Sequence, residues 1–298
     1  MRHVDFPPFG GRRHFPGLNA PIMSLPEPTS TSAALVTGAS AGIGAEIAKL
    51  LAARGHTLVL VARRKERLVK LAGELTEQHG VRVETIAADL SKPAPRGRIP
   101  GRIDQLGLEV EVLINNAGFA TGGEPFYEAD PEREIEQVRV DVEAVVALTS
   151  AFLPPMVQRG RGAILNVAST AGMQPIPYSA GYSAAKAYVL AFSEAIHQEV
   201  RGHGVTVTAL APGPVDTDFW QIAGWEVQGG KSFERAVPGA LITPEHAARA
   251  GVEGLERGER VVVPGLPIRA AMLASRYIPH ALKLPALERF MRPGSDRD

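Results

Sequence analysis

The chain contains no cysteine. That excludes disulfides, thiolate nucleophiles and cysteine-held zinc, and it allows a reducing compartment. Neither sign of charge is in excess: Lys plus Arg and Asp plus Glu both number 32, for a formal net charge of zero. Nucleic-acid partners normally meet a basic footprint, and none is present. The eight histidines are scattered, with no HExxH and no paired ligand spacing, so no protein-held metal is expected. No uninterrupted apolar run approaches the length of a membrane-spanning helix. One further scarcity is local: between Glu46 and Glu66 there is no acidic residue at all.

What the chain does have is a rhythm. From residue 33 onward, short apolar runs alternate with amphipathic helical stretches. The runs 33–37, 57–61, 81–87, 110–115, 163–168, 205–210 and 260–263 read as strands. Helices are expected from a glycine-rich turn to about 54, then over 65–79, 131–158, 180–202 and 244–257. Such alternation indicates right-handed βαβ units. The predicted architecture is an α/β, doubly wound parallel sheet covered on both faces, a Rossmann-type single domain spanning 33–264. Residues 1–32, rich in Pro, Gly, Ser and Thr, are expected to form a disordered leader, and 265–298 an amphipathic tail. The Arg12-Arg13 pair lacks the apolar segment an export signal needs, and Met23 is an alternative start. One stretch breaks the rhythm. Pro93, Pro95, Gly97, Pro100 and Gly101 fall where a helix between the third and fourth strands belongs, and should shorten it into a surface peculiarity.

Chemistry concentrates in two places. Tyr182 and Lys186 stand four residues apart, so on a helix both project from one face. An ammonium beside a phenol favours phenolate, which should bring Tyr182 below its reference pKa of about 10 and toward proton transfer. Ser169 closes the apolar run 163–168 and can share a proton or a carbonyl oxygen with the tyrosine. Taken singly, the serine reads as a strand-end hydroxyl and the tyrosine as a surface aromatic. Their joint spacing argues for acid–base work in need of an electron carrier. Upstream, Thr37-Gly38-Ala39-Ser40-Ala41-Gly42-Ile43-Gly44 joins the first strand to the first helix. Glycines at 38, 42 and 44 permit a tight turn and close approach to a pyrophosphate at a helix N-terminus. No Gly-Lys-Ser/Thr ending follows, which argues against a P-loop. After the second strand, where a diol-binding carboxylate would select NAD, the chain carries Arg63 and Arg64. Guanidinium groups there suit the 2′-phosphate of NADP(H); a solvated start to a charged helix is the plain alternative.

These motifs, in this order, resemble the short-chain dehydrogenase/reductase family in its single-domain form, over roughly 33–265. Thr37 to Gly44, with Ser40 and Ile43 inside it, matches the family's cofactor turn, and Asp89-Leu90 matches its pair near adenine. Asn115-Asn116-Ala117-Gly118 matches the motif of the fourth strand, and Pro212-Gly213-Pro214-Val215-Asp216-Thr217 the stretch beside the nicotinamide amide. Ser169, Tyr182 and Lys186 match its catalytic set. The resemblance implies an NADP-dependent oxidoreductase acting on a small-molecule carbonyl or alcohol. In it, Tyr182 exchanges the proton at the substrate oxygen, Lys186 lowers the tyrosine pKa and binds the nicotinamide ribose, and Ser169 orients the carbonyl. A homodimer or homotetramer is also implied, and a cytoplasmic location is expected.

One position departs from the family pattern. Where the family carries asparagine in the long helix, Val140-Asp141-Val142 places an aspartate, expected to draw the Lys186 charge and alter the proton relay. That departure is the one feature favouring a non-catalytic NADP-binding scaffold. Both tryptophans, Trp220 and Trp225, fall in the substrate lid expected after Thr217, which points to an apolar or aromatic substrate. The tail's apolar clusters and basic residues leave three readings open: peripheral contact with a membrane, packing on the domain, or a subunit interface.

Overall fold

Strand β2, Thr57–Ala62, shows why the chain folds as it does. Leu58 and Leu60 belong to one apolar cluster with Ile47, Leu51 and Val252, while Val59 and Val61 belong to another with Ile99, Ile103 and Leu148. Side chains of a strand alternate between faces, so a strand apolar at successive positions must be covered on both sides. β1 (Ser32–Thr37), β4 (Glu109–Asn115), β5 (Gly162–Val167) and β6 (Val205–Leu210) are buried in the same way. With β3 (Val83–Ala87) and β7 (Val261–Val262) they form one parallel sheet in the order β3-β2-β1-β4-β5-β6-β7. The computed structural model describes residues 25–217, 219 and 234–292. Within them the doubly wound architecture read from the sequence is present.

Helices α1 (Gly42–Ala53), α2 (Lys65–His79) and α8 (Pro244–Glu256) contribute to the first cluster. On the second lie α4 (Ile99–Gln105), α6 (Ala144–Arg159) and α7 (Ala180–Glu199). Strand order reverses between β1 and β4, so the loops after them diverge and open a crevice at the C-terminal ends of the strands.

The proline-rich stretch forms two short helices, α3 (Pro93–Gly97) and α4, with prolines in the first turns, where a missing N–H is no loss. The helix is shortened as expected, and the prolines and glycines themselves are exposed or half-exposed, but the stretch also reaches inward. Ile99 and Ile103 sit in the core, and the buried Arg96 donates to the Leu90 carbonyl (2.9 Å) and to Glu143. α5 (Pro131–Val138) runs into α6 through a π turn at Arg139–Glu143. This continuous helix is long and apolar enough to cross a membrane by length and composition, and its Leu148, Phe152 and Met156 are buried in the second cluster. Leu25 is buried and the Glu27 carbonyl accepts from Arg161, so packing begins ahead of β1. Residues 1–24 of the expected leader lie outside the described part.

Polar groups inside the layers are linked to one another. Asn115 Nδ2 donates to Thr149 Oγ1 (3.1 Å) and Asn166 Oδ1 (2.9 Å), and Asn166 Nδ2 donates to Ser193 Oγ (2.9 Å). This relay ties β4 and β5 to α6 and α7 at the crevice end of the sheet. Asn166→Ala strips two of these bonds from buried groups and should cost about 2 kcal/mol in denaturant unfolding, whereas a loss below about 0.5 kcal/mol would show the relay to be dispensable.

Candidate active site

The loops leaving the C-terminal ends of the strands enclose a cavity of about 630 Å³. Gly38, Ser40, Gly42 and Ile43 line it after β1, Arg63 and Arg64 after β2, and Asp89 and Leu90 after β3. Asn116, Ala117 and Gly118 reach it from β4, Ser169 from β5, and Pro212, Gly213, Val215 and Thr217 from β6. Tyr182 and Lys186 complete the wall from α7. Gly44 and Asp141 stand behind the wall, both buried.

At the nucleotide end, the turn after β1 is stitched to β4. Thr37 Oγ1 accepts from the N–H groups of Asn116 (2.9 Å) and Ala117 (3.0 Å) and donates to the Ile114 carbonyl (3.1 Å). Asn116 Nδ2 donates to the carbonyls of Thr37 (3.0 Å) and Gly38 (3.3 Å). A Cβ on Gly44 would come within 2.3 Å of that amide nitrogen, so the close approach requires glycine. α1 starts with no side-chain cap and no acidic residue in its first turn. Its open N–H groups, with Gly42 and Ile43 at the cavity, fit a pyrophosphate.

Beyond them, Arg64 Nη2 donates to Ser40 Oγ (3.0 Å), and the exposed Arg63 lies 3.6 Å from Glu136. The Asp89 carboxylate accepts from both the N–H (3.0 Å) and the hydroxyl (2.8 Å) of Ser91. Burial works against its charge, but those bonds and the nearby Arg63 and Lys92 hold it below the usual carboxylate range. The Ser40 hydroxyl and the guanidinium groups of Arg63 and Arg64, with no acidic residue directly following β2, fit a phosphorylated ribose better than a free diol.

At the other end, Tyr182 and Lys186 lie one turn apart on α7, with the lysine Nζ 5.6 Å from the tyrosine ring centroid. Nζ donates to the Val167 carbonyl at the end of β5 (3.1 Å) and lies 3.3 Å from Asp141 Oδ2 on the π turn. Asp141 Oδ1 accepts from the Phe119 N–H (3.0 Å), while Oδ2 meets the ammonium without hydrogen-bond geometry. Ser169 Oγ accepts from the Ala171 N–H (3.1 Å), capping the short turn Thr170–Met173, and points its own proton at the Pro212 carbonyl (3.5 Å) on the cavity wall it shares with Tyr182.

Burial disfavours the Lys186 ammonium, but the Asp141 carboxylate and the Tyr182 phenol outweigh it and hold the lysine above its ordinary range. Burial raises Asp141 above the usual carboxylate range, against the pull of Lys186 and the Phe119 N–H. Burial also pushes Tyr182 up; Lys186 and Ser169 pull against it, the Asp141 charge adds to it, and the phenol stays above its ordinary value. The i, i+4 spacing alone leads to the opposite expectation, a depressed phenol. Spacing registers the ammonium but neither the desolvation of the phenol nor the carboxylate that opposes the lysine.

Gln137, absent from the sequence-based set, helps build this arrangement. Fully buried on α5, it donates to the Phe119 carbonyl (3.0 Å) and accepts from Thr121 Oγ1 (3.0 Å). Gln137 and Asp141 therefore clamp the Phe119 backbone from one helix, and their four-residue spacing was a readable signal. Thr37 opens the glycine-rich turn in sequence, but its hydrogen bonds to the end of β4 are visible only in the fold. Gly118 lies against the ion pair: a Cβ there would come within 2.8 Å of Asp141 Oδ1. Trp220, Trp225 and the rest of the expected lid up to 233 lie outside the described residues, apart from Phe219, whose ring is 5.5 Å from that of Tyr182.

Comparison with known proteins agrees with this geometry. A family model described as short chain dehydrogenase matches residues 32–225. The very-long-chain 3-oxoacyl-CoA reductase of Anas platyrhynchos is 36% identical over 227 residues, which cover 75% of this chain and 69% of that protein. The NADP-dependent 3-hydroxy acid dehydrogenase YdfG of Salmonella typhi is 35% identical over 219 residues, 72% of this chain and 86% of that protein. A short-chain dehydrogenase from Sphingobium yanoikuyae, solved in complex with NADPH, aligns with a TM-score of 0.72 at 33% identity, covering 90% of this chain and 99% of that one. With its parallel sheet, its cavity at the strand ends and these matches, the chain belongs to the short-chain dehydrogenase/reductase family.

Proposed function

We propose that this chain is an NADP-dependent oxidoreductase that reduces an apolar or aromatic carbonyl, or oxidises the matching alcohol, with Tyr182 as general acid and base. The observation that carries the reading is the meeting of the Ser169 hydroxyl, the Tyr182 phenol and the Lys186 ammonium on one wall of a cavity whose far end holds Arg63 and Arg64. When bound, the nicotinamide supplies or accepts the hydride at the substrate carbon.

The chain's own residues do the rest. Ser169 holds the substrate oxygen, and Tyr182 gives that oxygen a proton in reduction and takes one in oxidation. Lys186 stabilises the phenolate left behind, and Asp141 keeps the ammonium charged and in place. Ser40, Arg63 and Arg64 grip the 2′-phosphate through hydrogen bonds strengthened by charge. The NADPH in the Sphingobium structure and the NADP in the name of the Salmonella relative support the choice of cofactor. Phe119, Ile176, Phe219 and Met272 on the remaining wall support an apolar substrate, as does the long acyl chain in the name of the Anas relative. Asp141 favours a second reading, a non-catalytic NADP-binding scaffold, because it shares the lysine charge that would otherwise act on Tyr182 alone.

A panel of apolar ketones followed by NADPH absorbance should show turnover by the wild type, lowered about 10²–10⁴-fold in Tyr182→Phe with thermal unfolding unchanged. A wild type that binds NADPH yet reduces no carbonyl would favour the scaffold instead. Arg64→Ala should weaken NADPH binding about tenfold to a hundredfold and spare NADH; equal losses for both nucleotides would remove the phosphate assignment. Asp141→Asn removes a charge that raises both Tyr182 and Lys186. Both groups should then titrate lower, moving the acid limb of alcohol oxidation to lower pH. An unmoved pH–rate profile would show that Asp141 does not shape the proton route.

A further inference from the structure

The two tail helices, Leu266–Ser275 and His280–Met291, return over the reacting end of the cavity. Ile268, Met272 and Met291 line it, and Ile268 is seated so closely on the β6 loop that a Cβ at Gly213 would come within 2.9 Å of it. Polar contacts fasten the pair in place. Ser275 Oγ donates to Gln174 Oε1 (3.1 Å), and the buried Lys283 donates to the Ser275 carbonyl (3.2 Å), joining one tail helix to the other. Tyr178 OH donates to Glu288 Oε1 (2.6 Å), a carboxylate also held by Arg292 (2.7 Å). Tyr178 is the one described non-glycine residue with a left-handed backbone, φ 61°. Its loop also carries Gln174, Ile176 and Ser179, which line the cavity, and it leads straight into α7 and Tyr182.

Plain packing of a tail on a domain requires none of this alignment. Here the apolar side chains face open cavity, while the polar ones bind the loop that enters the catalytic helix. We infer that the tail helices form the specificity wall for the distal part of the substrate, with Met272 and Met291 touching it and the Tyr178–Glu288 bond positioning them. Unbranched, polarisable methionine side chains adapt to varied apolar shapes. The wall therefore selects a carbonyl carrying a bulky or extended apolar group. This substrate class rests on the oxidoreductase reading above.

The absence of native cysteine supplies the test, because Met291→Cys or Leu282→Cys introduces a single thiol. Maleimide should modify the thiol at 291 slowly, more slowly still with NADPH and benzophenone present, and roughly tenfold faster when Tyr178→Phe is added. The thiol at 282, on a residue 68% exposed, should react at one rate throughout. Met272→Cys serves in the same way if the 291 variant does not fold. In turnover, Met291→Ala should raise the KM for benzophenone about tenfold while leaving kcat, and both constants for acetone, near wild type. A thiol at 291 as reactive as that at 282, or one insensitive to both benzophenone and Tyr178→Phe, overturns the wall. So does an unchanged preference between the two ketones. Should the wild type reduce neither ketone, the oxidoreductase reading fails, and thiol protection by benzophenone still decides the wall.

Discussion

Every chemical feature of this molecule depends on one constraint, the parallel direction of its seven strands. Parallel strands put all their C-terminal ends on one edge of the sheet, and the reversal of order between β1 and β4 parts the loops there. Residues as far apart as Gly38, Asp89, Gly118, Ser169 and Thr217 therefore line one cavity. The apolar content of both faces of β1, β2, β4, β5 and β6 enforces this, since neither face can be left to water. The site follows from the packing of the core, and the loops supply its chemistry.

At the wall of that cavity the decisive interaction is the buried contact between Lys186 and Asp141 behind it. Desolvation opposes both charges, and each is tolerable because of the other. The surrounding structure is built to hold them. The π turn sets Asp141 toward α7, its other oxygen receives the Phe119 N–H, Gln137 grips the Phe119 carbonyl, and Gly118 leaves room. The outcome for Tyr182 is a balance. The lysine and Ser169 favour phenolate, burial and the aspartate oppose it, and opposition prevails in this structure. An asparagine at this position would leave the lysine charge unopposed, so the aspartate tunes the proposed acid–base group more than it disables it.

The tail shows the same dependence on distant partners. The described tail helices pack on the domain through Ile268, Lys283 and Met291, while Leu266, Leu273, Tyr277 and Leu282 stay exposed along the tail. Amphipathic character alone does not choose among the three readings of the tail, because a membrane, a second subunit and the chain's own domain all offer an apolar surface. The inner face is set by Gly213, Gln174 and Tyr178, which meet the tail where it crosses the cavity.

Fold class, strand positions, the glycine turn and the Ser169, Tyr182 and Lys186 set were all legible in the chain itself, because each is written in local periodicity or short spacing. The shortening of the proline-rich stretch was legible too, but the burial of Arg96 was not, since its partners Leu90 and Glu143 are announced by no local pattern. Gln137 stands at a readable four-residue spacing from Asp141, but its partners, Phe119 and Thr121, lie in a loop upstream that this spacing does not point to. The sequence by itself determined which groups the site contains and which cofactor they suit. Only the tertiary structure decided the sign of the Tyr182 shift and the place of the tail. Both depend on burial and on contacts between distant segments, such as Asp141 with Lys186 and Tyr178 with Glu288, which exist only once the sheet has brought them together.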